Sequence, residues 1–134
     1  MSLAETCVSA VIISVAVMIA LPSLVQTRDD YVVKSAARDV ASKLHAARIR
    51  AISRNINCRL QVTSSVIYAV ECQDPVWLVT ETVTLPRGMT IVQNAPPEFH
   101  RLGNVVPTAT ITVSNAKGRQ KKVIVNNGGR IRIE

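Results

Sequence analysis

Glutamate 5 is the only charged residue among the first 27 of this 134-residue sequence, and it opens a long apolar stretch. Residues 6–27 are uncharged, and a helix of 22 residues, rising about 1.5 Å per residue, can cross a hydrocarbon core of roughly 30 Å. An unpaired carboxylate in such surroundings costs several kcal/mol. Because the next basic residue is Arg28, we expect the partner of Glu5 to be the chain's own amino terminus, another subunit or another protein.

The flanks of the apolar stretch argue against a secretory signal peptide. Such a peptide begins with a basic region, has a shorter apolar core and ends at a small-residue cleavage site. Here no basic residue precedes the core, and an acid stands in its first turn. A plain single-pass membrane anchor is the simplest alternative, although it gives no reason for Glu5.

Four positions, Met1, Glu5, Leu21 and Pro22, are in register with a known pattern. The stretch resembles the N-terminal helix of type IV pilins and type II secretion pseudopilins after leader removal. That resemblance implies that prepilin peptidase cleaves before position 1 and methylates the new amine. It also implies that Glu5 pairs with the terminal amine of a neighbouring subunit, and that Pro22 marks a kink or a melted stretch.

Two features depart from that pattern. Position 1 is Met where Phe is usual, and the sequence contains no basic leader ending in Gly. We expect the sequence to be the mature chain, with Met1 as the processed and methylated residue. A start codon assigned downstream of the leader would give the same sequence.

After Pro22 a helical pattern resumes, and beyond Asn57 the apolar period changes to two. The apolar stripe of the second helical section comprises Val33, Ala36, Ala37, Val40, Leu44, Ala47 and Ala51. Strands are predicted at residues 58–63, 66–72, 76–85, 89–93, 108–114, 119–125 and 130–134, with a loop at 94–107. We therefore predict an α+β fold. Residues 1–27 form a transmembrane or filament-core helix, and residues 28–134 form one globular domain with a helix at 28–54 and antiparallel sheet at 57–134.

The three cysteines indicate one free thiol and one candidate pair. Cys7 lies in the apolar stretch and is expected to be a small apolar residue. Cys58 and Cys72 flank a predicted hairpin and can face each other across it. In an exported domain they form a disulfide, and a buried thiol pair is the alternative. We predict no metal site and no cofactor, because the histidines are not clustered with the cysteines.

The net charge of +7 is concentrated in the predicted amphipathic helix and the last third of the chain, where residues 101–134 carry +6. Strand alternation places Arg130 and Arg132 on one face of the last strand. Arg119 and Lys121 share a face of the preceding strand, Lys122 points the other way, and Lys117 lies at a hairpin tip. Two adjacent basic strands would suit phosphates. The alternative is a solvated sheet edge whose cations prevent aggregation.

Three parts of the chain resemble the GspH/FimT branch of the pilin superfamily: residues 36–55, the Cys58/Cys72/Trp77 region and Gly129-Arg130-Ile131-Arg132. FimT-like minor pilins carry a C-terminal Gly-Arg-x-Arg motif associated with DNA binding in natural transformation. The resemblance implies a DNA site at Gly129, Arg130 and Arg132. We expect the basic residues of the preceding hairpin, Lys117, Arg119, Lys121 and Lys122, to extend it, and double-stranded DNA to be the ligand. Branch members in secretion systems share the fold without this role.

Such a site would hold backbone phosphates rather than read bases. Among the few aromatic residues, only Tyr68 and Phe99 are expected outside core positions, which leaves little for base stacking. Catalysis is not expected. His45 lies mid-helix, His100 lies in the proline-rich loop without a nucleophile motif, and no phosphate-binding glycine loop precedes a helix.

Three functions are consistent with the sequence. The first is a FimT-like minor pilin that binds DNA for uptake. The second is a structural pilin, or a GspH-like pseudopilin of a type II secretion system. The third is a monomeric, membrane-anchored basic domain. For the first two, we expect a single-pass subunit in the bacterial inner membrane with a periplasmic domain, and afterwards an extracellular or periplasmic filament containing other subunits.

Overall fold

A single long helix, α1, begins the fold. The computed structural model describes residues 2–134, so the expectations for Met1 lie outside the described residues. Helix α1 runs through Leu3–Arg54 with Pro22 inside it. The melted stretch expected at Pro22 is absent from this helix. A single proline removes one backbone donor, and the hydrogen bonds of the turns on either side maintain the helix.

The chain divides into two compact units, the first of which ends at Val32. The large apolar side chains of this unit are exposed, among them Leu3, Val11, Ile12, Met18 and Leu24. Within residues 2–134, α1 is the one helix long and apolar enough to cross a membrane. An exposed apolar surface of this size needs lipid or another protein to cover it, so this unit suggests membrane anchoring.

The second unit, Val33–Glu134, contains the remainder of α1 and all described strands. Its helical part buries the predicted apolar stripe, which is confirmed at every position: Val33, Ala36, Ala37, Val40, Leu44, Ala47 and Ala51. The small alanine side chains allow close approach of the helix backbone to neighbouring elements, so the stripe packs without bulky residues.

Eight strands follow the helix. In chain order they are β1 (Asn57–Ser64), β2 (Ile67–Gln73), β3 (Trp77–Thr84), β4 (Met89–Gln93), β5 (Glu98–Phe99), β6 (Ala109–Asn115), β7 (Gln120–Val125) and β8 (Ile131–Ile133). They form two four-stranded sheets with orders β3-β2-β1-β5 and β4-β6-β7-β8, and every pairing is antiparallel. The predicted α+β fold is confirmed.

The segment predicted as a loop at 94–107 contains the short strand β5. Phe99 lies opposite Cys58 of β1 and is completely buried. The remainder turns tightly, since the His100 amide donates to the Asn104 carbonyl oxygen (2.9 Å) and the Gly103 amide donates to that of His100 (2.8 Å). A two-residue strand is too short to show an alternating pattern, which is why the sequence predicted only a loop.

Candidate functional site

The outer face of the second sheet brings basic residues from β7 and β8 together. Arg132 lies opposite Ile124, and Lys122 exchanges both backbone hydrogen bonds with Glu134, at 2.9 and 2.8 Å. Residues directly opposite in an antiparallel pair share a face. Lys122, Arg132 and Glu134 therefore share the face opposite to that of the buried Val123.

Lys121 lies elsewhere, although the sequence grouped it with the basic stripe. It pairs with Val113, a buried residue, and is itself half-buried. The strand pleat places it on the same face as Val123 and opposite to Lys122. The basic stripe of two adjacent strands therefore contains Lys122 and Arg132 rather than Arg119 and Lys121.

Lys117 and Arg119 belong to the turn between β6 and β7 and are exposed. The Asn115 side-chain oxygen organises this turn by accepting bonds from the Lys117 and Arg119 amides, at 3.1 and 2.9 Å. The turn closes through Gly118, whose amide donates to the Asn115 carbonyl oxygen. Both cations thus lie at a hairpin tip, as predicted for Lys117.

Arg130 and Arg132 are both exposed. Arg132 forms an ion pair with Glu134, and the two side chains remain 62% and 47% exposed. A solvent-exposed pair of this kind contributes about 0–1 kcal/mol, so a phosphate group can compete for Arg132. Within residues 2–134 the Arg130 side chain takes part in no hydrogen bond or ion pair, and it is available to a ligand.

Gly129 of the Gly-Arg-x-Arg motif is buried against Arg48 of α1 and Gly103. Its φ is +76°, and a Cβ placed there would lie 2.2 Å from the Gly103 carbonyl oxygen and 2.9 Å from Arg48 Nε. Arg48 Nη1 donates to the Gly129 carbonyl oxygen (2.9 Å), and Nη2 donates to that of Gly128 (3.4 Å). The motif glycine therefore meets a packing requirement, whereas the resemblance placed it in the DNA site.

Aromatic side chains add little to this site. Tyr68 and Phe99, expected outside the core, are both fully buried, because β2 and β5 direct them inward. The Trp77 ring is covered by the Arg59 guanidinium, 4.2 Å from its centroid. This leaves charge as the main recognition chemistry of the outer face.

The burial of Tyr68 has an electrostatic consequence. Desolvation by burial, followed by the negative charges of Asp39 and Glu81, raises the pKa of Tyr68 to about 12. The Glu81 carboxylate also forms an ion pair with Lys43 of α1. The Tyr68 hydroxyl has no hydrogen-bond partner among the described residues, so the phenol remains protonated and unpaired in the core.

The Glu5 carboxylate has a hydrogen-bond partner within its own chain. Its Oε2 accepts a hydrogen bond from the Ser2 backbone amide (3.0 Å). In return, the Ser2 hydroxyl oxygen accepts one from the Ala4 amide (3.2 Å). This arrangement is a variant of the capping box in which the Ser2 hydroxyl accepts from the second helical residue, while the Glu5 amide donates to the Ser2 carbonyl oxygen. Its Ser-x-x-Glu spacing is visible in the sequence. Glu5 therefore has a neutral hydrogen-bond donor in its own chain, and pairing of its charge with an amine of another subunit stays a prediction.

Cys58 and Cys72 are directly opposite each other on β1 and β2 and form a disulfide, with a Cα–Cα distance of 4.1 Å. Cys7 is a free, exposed cysteine in the isolated chain. Within residues 2–134, no cluster of three or more His, Cys, Asp or Glu side chains could hold a metal ion. His45 is exposed, and His100 Nδ1 lies 4.0 Å from the Glu98 carboxylate.

A long N-terminal helix, apolar in its first half and packed into an antiparallel α+β unit in its second, defines a pilin-like protein. Solved structures share this fold. The type IV minor pilin FimU of Pseudomonas aeruginosa is 18% identical, with a TM-score of 0.63 over 76% of this chain and 87% of that chain. The minor pseudopilin EpsH of the Vibrio cholerae type 2 secretion system is 16% identical, with a TM-score of 0.66 over 76% and 95%.

The family described as type II transport protein GspH matches residues 36–129, which is more than half of the sequence. The chain belongs to the GspH family, and the predicted membership in the pilin and pseudopilin superfamily is confirmed. Among curated proteins, none matches the sequence significantly. Family membership implies that the chain assembles with other pilin-like subunits in a type IV filament or a type II secretion system.

Proposed function

We propose that this chain is a FimT-like minor pilin that binds DNA without sequence preference through Arg130, Arg132 and Lys122. The observation that carries the proposal is the placement of three exposed cations on neighbouring segments of the second sheet: Arg132 on the edge strand β8, Arg130 just before it, and Lys122 on the adjacent β7. Arginine pairs with phosphate oxygens through two parallel N–H groups. Contacts of this type position a protein on the DNA backbone and read no sequence.

The subunit would reach its ligand from a filament. In this proposal prepilin peptidase processes the chain, and the apolar first unit holds it in the inner membrane with the second unit in the periplasm. Glu5 then exchanges the Ser2 amide for the terminal amine of a neighbouring subunit. Double-stranded DNA is bound by the assembled filament, outside the membrane.

DNA titration of the full chain in detergent micelles tests the DNA-binding site. The double variant Arg130→Ala/Arg132→Ala should lower the affinity for a labelled duplex at least tenfold. Engagement of about three or four phosphates predicts a log–log salt slope of roughly −3 to −4, which should become shallower by about 2 in the variant. Fluorescence anisotropy at several salt concentrations measures both quantities.

A matched control removes the same charge elsewhere. Lys34→Ala/Arg87→Ala replaces two exposed cations, one on α1 and one in the turn after β3. This control should retain most of the affinity and most of the salt slope. Equal losses in the two double variants would show that net charge alone attracts the DNA, and the proposed site would be wrong.

A structural pseudopilin of a type II secretion system is the second candidate. One observation favours it: packing against Arg48 and Gly103 already accounts for Gly129, so the glycine adds no independent support for a DNA site. Under this alternative Arg130 and Arg132 protect the exposed edge of β8 from pairing with other strands. The duplex titration distinguishes the two candidates.

A further inference from the structure

A cleft of about 490 Å³ lies where α1 ends, beside the start of β1, the end of β2 and the turn at 100–104. Its volume is within the range typical of small-molecule sites. No part of the proposed DNA site described above lines it.

The lining of the cleft combines four kinds of side chain. Carboxamides come from Asn55, Asn57, Gln73 and Asn104, an imidazole from His100 and an exposed cation from Arg101. The Asn57 side-chain amide donates to the Gln73 side-chain oxygen (3.5 Å). Leu102 adds an apolar side chain that is 88% exposed, with Ile56 and Pro75 as further apolar lining. None of the described lining residues is acidic.

This combination matches the parts of a nucleotide. Carboxamides both donate and accept hydrogen bonds, and they pair in this way with the edges of DNA bases. Apolar side chains suit the face of a base, and arginine suits a phosphate. The carbonyl groups at the end of α1 attract hydrogen-bond donors and repel anions. The base therefore suits the interior of the cleft, and the phosphate suits Arg101.

The cleft is joined to the turn that carries Arg130. The Val105 amide donates to the Asn127 carbonyl oxygen (2.8 Å), and Gly103 contacts the Gly129 position so closely that no Cβ fits between them. Arg101 is two residues before Gly103, and Arg130 directly follows Gly129. This contact therefore holds the segments that carry Arg101 and Arg130 side by side.

We propose that this cleft binds one unpaired nucleotide at a single-stranded end of the DNA whose backbone is held by Arg130 and Arg132. The inference rests on the proposed DNA binding and adds a preference for DNA ends. A base within a duplex presents its pairing edge to its partner strand, so an unpaired nucleotide is the one that offers this edge to the carboxamides. Arg101 binds the phosphate of that nucleotide.

Two labelled DNAs test the inference with the full chain in detergent micelles: a blunt duplex, and the same duplex with a short single-stranded overhang. The wild type should bind the overhang DNA about tenfold more tightly. In Gln73→Ala/Asn104→Ala, affinity for the overhang DNA should fall to that for the blunt duplex, while blunt-duplex affinity remains unchanged. Both residues are exposed, and the unchanged blunt-duplex affinity also verifies that the variant is folded.

Thr82→Ala/Thr84→Ala on β3 is the matched control, since both side chains are polar and exposed, and it should keep the tenfold preference. Equal wild-type affinity for the two DNAs would overturn the cleft proposal and leave the proposed function standing. A preference that survives Gln73→Ala/Asn104→Ala would also overturn it. Failure of the wild type to bind the blunt duplex would instead overturn the proposed function.

Discussion

The guanidinium of Arg48 and the backbone of Gly129 are 81 residues apart in sequence and in direct contact, with Nη1 donating to the Gly129 carbonyl oxygen over 2.9 Å. Arg48 Nε is buried without a hydrogen-bond partner among the described residues. A side chain that leaves one buried donor unpaired incurs a cost, which its bonds to Gly128 and Gly129 offset. The turn before β8 is therefore fixed to α1.

This contact predicts a large effect of Gly129→Ala on stability. The added Cβ would lie 2.2 Å from a backbone oxygen at a positive φ, so the turn must move. Gly118→Ala is the matched control, because Gly118 also has a positive φ (+82°) but no neighbouring atom within 4 Å of a new Cβ. We expect Gly118→Ala to cost about 1 kcal/mol of unfolding free energy and Gly129→Ala at least about 2 kcal/mol more. Equal losses in denaturant unfolding would contradict the packing role of Gly129.

Glu134 should weaken DNA binding, because it neutralises Arg132 and lies opposite Lys122. Glu134→Gln should raise the affinity for duplex DNA about two- to fivefold, the range expected when an exposed ion pair worth up to about 1 kcal/mol is removed. Asp39→Asn, which removes one exposed negative charge from α1, should change affinity less. Anisotropy titrations at one salt concentration compare the duplex affinities of the two variants. Equal affinities would contradict a specific effect of Glu134 on Arg132.

Tyr68 should make the unfolding free energy depend on alkaline pH. Its folded pKa of about 12 lies above the unfolded value of about 10, so the folded state retains the proton longer. The contribution is fully present below about pH 10 and is lost as the pH rises through about 12, by up to about 3 kcal/mol in total.

Tyr68→Phe removes this dependence and provides the comparison. The difference in unfolding free energy between wild type and variant should change between about pH 8 and about pH 11, while other titrating groups cancel. Near neutral pH the variant should be at least as stable as the wild type, because the lost hydroxyl is buried and unpaired. A constant difference across this pH range would show that Tyr68 ionises equally in both states.

Glu5→Gln separates the two roles of Glu5. Glutamine also serves in a capping box, so the helix start should be retained while the negative charge is lost. We expect incorporation into filaments to fall strongly, as measured by the fraction of chain recovered in sheared filaments. Ser2→Ala is the complementary control: it loses the cap, at about 1 kcal/mol, but keeps the charge and should still be incorporated. Normal incorporation of Glu5→Gln would exclude charge pairing between subunits.

The sequence predicted the elements whose burial follows a regular period. The buried stripe from Val33 to Ala51 follows the helical period, and the long strands alternate. Contacts between distant positions leave no periodic signal, so the junction of Arg48, Gly103 and Gly129 was not predicted. Strand register decides which lysine joins Arg132, and that register depends on the pairing of Lys122 with Glu134, which has no signal in the local sequence. The hydrogen bond between Ser2 and Glu5 is local, and the Ser-x-x-Glu spacing is a sufficient signal to predict it.

The hydrogen bond between Ser2 and Glu5 affects how much Glu5 can contribute to assembly. A free subunit with an unsatisfied Glu5 would be driven to aggregate or to neutralise its acid. In a free subunit, however, the Glu5 carboxylate accepts a hydrogen bond from the Ser2 amide. Under the proposed pairing, assembly would replace this charge-assisted bond from a neutral amide with one from a cationic amine. The difference between these two partners, rather than the full cost of an unpaired acid, is what Glu5 would then contribute to assembly.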